Sequence, residues 1–97
     1  MPRTVVQYKV KPEHADRNEE LVRAVYEELA RTAPEGLRYS TVRLEDGVSF
    51  IHIADHDGAP NPLPGLPAFQ RFLEDIRERC DEPPVAHQAR EIGAYGG

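Results

Sequence analysis

Tryptophan is absent from this 97-residue chain, and methionine and cysteine occur once each. The lone thiol, Cys80, excludes an internal disulfide and any zinc site built on several thiolates. Long hydrophobic runs are missing too. Neither a membrane-spanning helix nor the apolar stretch of a secretion signal is expected, which makes the cytoplasm the expected location. Basic residues are not in excess: 12 Lys and Arg stand against 17 Asp and Glu, a net charge of −5. Without a basic stripe, neither nucleic acid nor an anionic membrane surface is an expected partner. The length excludes a TIM barrel or two separate cores and leaves a single domain over residues 1–97. A domain of this size buries roughly 60–70% of its unfolded surface, so a partner subunit would help its stability.

What is present has clear periods. In residues 3–11, Val6, Tyr8 and Val10 alternate with Gln7, Lys9 and Lys11, which predicts a strand ended by Pro12. Residues 13–33 predict a helix with Leu21, Val22, Val25, Leu29 and Ala33 on its apolar stripe and Arg17, Glu20, Glu27, Glu28 and Arg31 opposite. Asp16 and Glu19 have capping-box spacing, so the helix could start a turn later. Two alternating runs, 37–45 and 48–55, meet at Asp46-Gly47, a hairpin signal. The register that follows sets Glu45 opposite Val48, Val42 opposite Ile51 and Thr41 opposite His52. The run HDGAPNPLPGLP is a stiff loop, equally suited to a lid (59–67) or a rigid connection. A second helix, 67–80, carries Phe69, Phe72, Leu73, Ile76 and Cys80 on one stripe, and a last strand covers 85–95. The parity of that strand is open, so His87 is on either face.

The order βαββαβ predicts an α+β ferredoxin-like sandwich, a four-stranded antiparallel sheet with both helices on one face. Val6, Tyr8, Val10, Val42, Leu44, Ile51 and Ile53 are expected against the helices. The other face is then expected to carry Val5, Gln7, Lys9, Leu37, Tyr39, Thr41, Val48, Phe50 and His52, too apolar a set for open water. The cover expected for it is the same face of a second copy, giving a homodimer with a barrel-like space between the sheets.

The strand VVQYKVKPE, the Asp-Gly hairpin and the tail PAFQRFLEDIRERCDEPPVAHQAREIGAYG, with its closing Gly-x-Tyr, together resemble the antibiotic-biosynthesis-monooxygenase-like (ABM) family of the dimeric α/β-barrel superfamily. The resemblance covers nearly the whole chain and lies in element lengths more than in any one motif. It implies a homodimer, with a ligand held between helices and sheet or near the barrel. Characterised members of the family include cofactor-free oxygenases of polycyclic quinol-type aromatics and haem-degrading enzymes. The oxygenases use a first-strand Asn, a Trp, and an Arg or His. Gln7 takes the place of that Asn here, there is no Trp, and a proline-rich loop replaces the stretch that often holds a His.

His52, Tyr39 and Gln7 are the candidate catalytic residues, with Phe50, Thr41 and Val5 as candidate ligand contacts. His52 suits a general base, Tyr39 an acid or a phenol-orienting group, and Gln7 a carbonyl donor. Each also has a structural reading, as an interface His, a packed strand Tyr and a paired amide. No metal site is expected: four strand residues separate His52 from His56 by about 13 Å, too far to share one ion. Cys80 reads as a core thiol. The leading expectation is a cofactor-independent monooxygenase or isomerase acting on an apolar or aromatic metabolite. A non-catalytic ligand-binding or stress-related dimeric module, and a haem-binding or haem-degrading protein, are the alternatives.

Overall fold

The computed structural model describes residues 3–57 and 61–96. Residues 58–60, within the proline-rich loop, and the chain ends lie outside the described residues. The strands are β1 (Arg3–Val10), β2 (Leu37–Arg43), β3 (Ser49–His56) and β4 (Cys80–Ala89). The helices are α1 (Ala15–Thr32), α2 (Pro67–Leu73) and α3 (Ile76–Arg79), with short 3-10 turns at Pro12–His14 and Leu63–Gly65. The four strands form one sheet in the order β2-β3-β1-β4, with every neighbouring pair antiparallel. This is the ferredoxin-like α+β arrangement.

The hairpin keeps the expected register beyond its tip, with Val42 opposite Ile51 and Thr41 opposite His52. The tip is wider than two residues. The last rung is Leu44 N–H to the Ser49 carbonyl, 2.8 Å, so Glu45 and Val48 belong to the turn. Asp46 organises it by accepting the Val48 and Ser49 amides, both 2.9 Å, and the Ser49 hydroxyl, 2.6 Å. These donors hold its carboxyl below the usual range, the Ser49 hydroxyl most of all. Gly47 sits at φ 79°, a conformation that costs a side chain strain.

One expectation about the faces is corrected. Across β1 and β3, Tyr8 lies opposite Phe50 and Val6 opposite His52. Directly opposed residues share a face, so Phe50, His52, Thr41 and Tyr39 join Val6, Tyr8 and Val10 on the helix side. Val42, Leu44, Ile51 and Ile53 are on the open side with Val5, Gln7 and Lys9. Alternation within each hairpin strand is as expected; its phase relative to β1 is reversed. Both faces of the hairpin carry apolar residues, so local patterning does not choose between them, and the β1–β3 pairing does. His87 lies opposite Val5 and so joins the open face.

The second helix and last strand also differ from expectation. The helix breaks at Asp75, φ 58°, and Arg79 explains where. Its guanidinium donates to the carbonyls of Phe72, 2.5 Å, and Glu74, 2.7 Å, satisfying acceptors that a continuing helix would have used. The strand then starts at Cys80 rather than 85, runs through Pro83-Pro84, and ends at Ala89, leaving Gly93 and Tyr95 outside it. As an edge strand, β4 tolerates prolines, and register shifts between Gln7 and Val10 absorb the extra residues.

The core is Tyr8, Val10, Val22, Val25, Phe50, Leu63, Leu66, Phe72 and Cys80, with Ala15 and Ala68. Two polar residues of α1 are buried with it, Asn18 and Glu28. Glu28, expected on the solvated face, instead accepts the Ala68 amide at the start of α2, 3.0 Å, and so caps that helix. Asp16 and Glu19 make no capping box; both bind Arg43 of β2, at 3.2 and 2.8 Å. Among the described residues no helix is long and apolar enough to cross a membrane.

Candidate functional site

A cavity of about 220 Å³ lies between the sheet and the α2–α3 segment. Val6, Ala54, Leu63, Phe69, Phe72 and Ile76 make it predominantly apolar. Its polar lining includes Tyr8, Tyr39, His52, His56 and Asn61. β1 (Thr4, Val6, Tyr8) and β3 (His52, Ala54, His56) contribute residues two apart, because that spacing returns a side chain to the same face.

His52 is the centre of the polar part. It is 5% exposed, with ring centroids 5.3 Å from Tyr8, 5.4 Å from Phe72 and 5.7 Å from Tyr39. Burial without a nearby anion disfavours the imidazolium and pushes its pKa down to about 4, so the ring is neutral at pH 7. Both ring nitrogens are engaged. Nε2 is 2.7 Å from the Tyr8 hydroxyl; Nδ1 is 2.6 Å from the Tyr39 hydroxyl and 3.0 Å from Thr41 Oγ1.

The contacts continue on both sides. Tyr8 accepts from Asn18 Nδ2 at 3.0 Å, and Asn18 Oδ1 accepts from Arg79 Nε at 3.2 Å. Thr41 Oγ1 meets the Tyr26 hydroxyl at 2.7 Å, and the Tyr26 ring stacks on Tyr39 at 5.2 Å. Burial holds the Tyr8, Tyr39 and Tyr26 hydroxyls above the ordinary phenol range, so all three are protonated O–H groups. No buried side-chain oxygen or nitrogen among the described residues lacks a partner. The result is a closed polar chain inside an apolar cavity wall. It can hold a proton at defined atoms and present a hydroxyl to a ligand oxygen.

The structure brings His52, Tyr39, Thr41 and Phe50 to one side of the sheet and separates them from Gln7 and Val5. Phe50 stacks on Tyr8 at 5.6 Å and supports the site from behind, without lining the cavity. Gln7 and Val5 lie on the open face, where Val42 is 50% and Val85 54% exposed. They do not reach the cavity, because odd and even residues of β1 point in opposite directions. His56 lines the same cavity as His52, while Asp55 lies on the open side and pairs with Arg3 at 3.0 Å. No group of three or more His, Cys, Asp or Glu residues placed to hold a metal ion occurs among the described residues. Burial raises the Cys80 thiol pKa and disfavours the thiolate.

Sequence reasoning missed Tyr8, Asn18 and Arg79 as parts of this site. A signal for the last two existed. Asn18 is in helical phase with Val22 and Val25, and Arg79 with Phe72 and Ile76, so each stands where an apolar residue is expected. A polar residue in a buried stripe needs a partner and points to one.

No protein-family model and no curated protein sequence matches the chain. Solved structures do. A Nitrosomonas europaea protein provisionally described as an antibiotic biosynthesis monooxygenase superimposes with a TM-score of 0.78 at 15% identity, over 96% of this chain and 100% of its own. A structure described as an antibiotic biosynthesis monooxygenase gives 0.72 at 19% identity, with the same 96% and 100% coverage. A Pseudomonas aeruginosa protein gives 0.74 at 19%, over 95% and 94%. At these identities the likeness is one of fold: over nearly its whole length the chain has the fold of the ABM-like structures.

Proposed function

We propose that this chain is a homodimeric ABM-like protein that binds a small aromatic or similarly apolar metabolite between helices and sheet and acts on it without a cofactor. The observation that carries this reading is the neutral His52 clamped between the Tyr8 and Tyr39 hydroxyls at the wall of an apolar cavity. At about 220 Å³ the cavity is smaller than the roughly 300–1,000 Å³ of most small-molecule sites, which favours a ligand of one or two rings over a polycycle or a tetrapyrrole. Tyr39 is placed to hold a ring oxygen of such a ligand, and His52 to hold Tyr39. A hydroquinone-type ligand that enters as its anion, its first proton left in solvent, can pass two electrons to O2 in a dry site; it leaves as the quinone and the O2 leaves as hydrogen peroxide, with no metal required. Gln7 and Val5 belong to the second part of the proposal, the open sheet face, which a second copy covers.

One observation favours binding without turnover as a second reading. Both nitrogens of His52 are engaged by protein hydroxyls, and burial makes the ring a weak base. The two readings separate in one experiment, with the metal-free protein in chelator-containing buffer. 1,4-Dihydroxynaphthalene is added under air, and oxygen uptake is followed alongside binding by nuclear magnetic resonance. Saturable uptake above background, falling about tenfold or more in Tyr39→Phe, is expected of the enzyme. Saturable binding without uptake leaves the binding protein. No binding by this compound, 1-naphthol or 1-tetralone would sink the cavity as a ligand site.

A further inference from the structure

We infer that Arg79 and Asn18 set the direction of the hydrogen bonds reaching the cavity, so that Tyr39 presents its hydroxyl hydrogen there and the site selects ligands with an accepting oxygen, such as a ketone, quinone or phenolate, over neutral phenols. This deepens the reading above and rests on it for the ligand, but not for the direction of the chain.

Direction enters the chain at Arg79, whose guanidinium can only donate. Arg79 is 7% exposed, its guanidinium is held by the Phe72 and Glu74 carbonyls, and its Cζ lies 5.6 Å from the Phe72 ring centroid. Its Nε donates to Asn18, which therefore turns its oxygen to Arg79 and its amide nitrogen to Tyr8. That nitrogen also only donates, so the Tyr8 oxygen accepts. The hydrogen of Tyr8 is left for its other partner, Nε2 of His52. A neutral imidazole that accepts at Nε2 carries its proton on Nδ1. Nδ1–H donates to the Tyr39 oxygen, 2.6 Å away, with Thr41 beside it at 3.0 Å. The Tyr39 oxygen is thereby an acceptor within the protein, from His52 Nδ1 and from its other side-chain partner, Thr41, and this turns the Tyr39 hydrogen to the cavity that Tyr39 lines. Running the chain the other way leaves the buried Tyr8 hydrogen aimed at no acceptor among its contacts, the more expensive arrangement. Asn18 is fully buried, and neither it nor Arg79 lines the cavity; both are positioning residues acting through Tyr8 and His52.

The ligand-free protein tests the direction by itself. With 15N-labelled histidine at pH 7, the wild-type spectrum is expected to show His52 protonated on Nδ1 and bare on Nε2. The opposite tautomer in the wild type overturns the inference. Asn18→Asp replaces the donor by an acceptor of the same shape, so Tyr8 now donates to residue 18 and His52 is expected to switch to Nε2–H. A folded variant with an unchanged tautomer overturns the inference equally. Should the buried carboxylate prevent folding, Tyr8→Phe removes the donor to Nε2 and is expected to yield mixed tautomers; a pure Nδ1–H form there would contradict the relay. Arg79→Lys, which keeps a donor, is expected to retain the wild-type tautomer. For selectivity, the ratio of dissociation constants for 1-tetralone and 1-naphthol is expected to shift about tenfold towards the phenol in Asn18→Asp, the size of one hydrogen bond. A switched tautomer with no shift in that ratio overturns the selectivity. If neither compound binds the wild type, the cavity fails as a ligand site while the nitrogen spectrum still decides the direction of the chain.

Discussion

The two faces of the sheet are made from alternate residues of the same strands, yet they solve opposite problems. On the helix side, six polar groups from five elements (Tyr8, Asn18, His52, Tyr39, Thr41 and Arg79) are partnered through one continuous chain. On the open side, Val42 and Val85 stand half-exposed, and the buried carboxylate of Asp55 is paired with Arg3. Polarity alone does not choose which face is buried. A polar side chain can enter the interior when residues distant in sequence supply every partner, whereas an apolar surplus outside marks unfinished burial.

That contrast can be broken most strongly from the inside. Phe50→Ala removes a ring stacked on Tyr8 and is expected to cost about 3–5 kcal/mol in urea denaturation, the usual range for a buried Phe. A loss under about 1 kcal/mol would mean that the helix side is not the core. The next effect is pH. His52 protonates near 6.5 when unfolded and near 4 when folded. Between these values the unfolded chain binds more protons, so stability falls as pH drops through about 6.5, by about 3 kcal/mol once below 4. His52→Gln, which does not titrate, is expected to flatten the slope between pH 6.5 and 5, where carboxylates contribute little; an unaltered slope would place the imidazole in water. The smallest effect on the folded chain is on the open face. Val42→Asp is expected to change stability in dilute solution by less than about 1 kcal/mol while sedimentation shifts from two chains to one. A wild type that sediments as one chain at all concentrations would leave the open face unexplained by self-association.

The site was partly legible. Alternation set His52, Thr41, Tyr39 and Phe50 on one side of the hairpin, and the structure keeps them together. It also set Val6, Tyr8 and Val10 apart from Val5, Gln7 and Lys9. What failed was the join between these two local results, because the phase of β3 against β1 depends on a pairing across more than forty residues of intervening chain. Alternation alone therefore groups Gln7 and Val5 with His52 and Tyr39, which lie on the opposite side of the sheet. Arg79 ended a helix that its apolar stripe alone would have continued, since the stripe does not reveal that a side chain reaches back to cap the carbonyls.

By itself the sequence determined the βαββαβ order, the hairpin register and the alternation of sides within each of the first three strands, because these follow from periods of two or 3.6 residues and from the turn chemistry of Asp46-Gly47. Tertiary structure alone decided which face of the hairpin meets the helices, and therefore that His52 is a buried neutral ring rather than an interface residue. The reason is that hydrogen-bond satisfaction is collective. Tyr8, Asn18, His52 and Arg79 lie on different elements, and each is stable in the interior only when the others arrive with it.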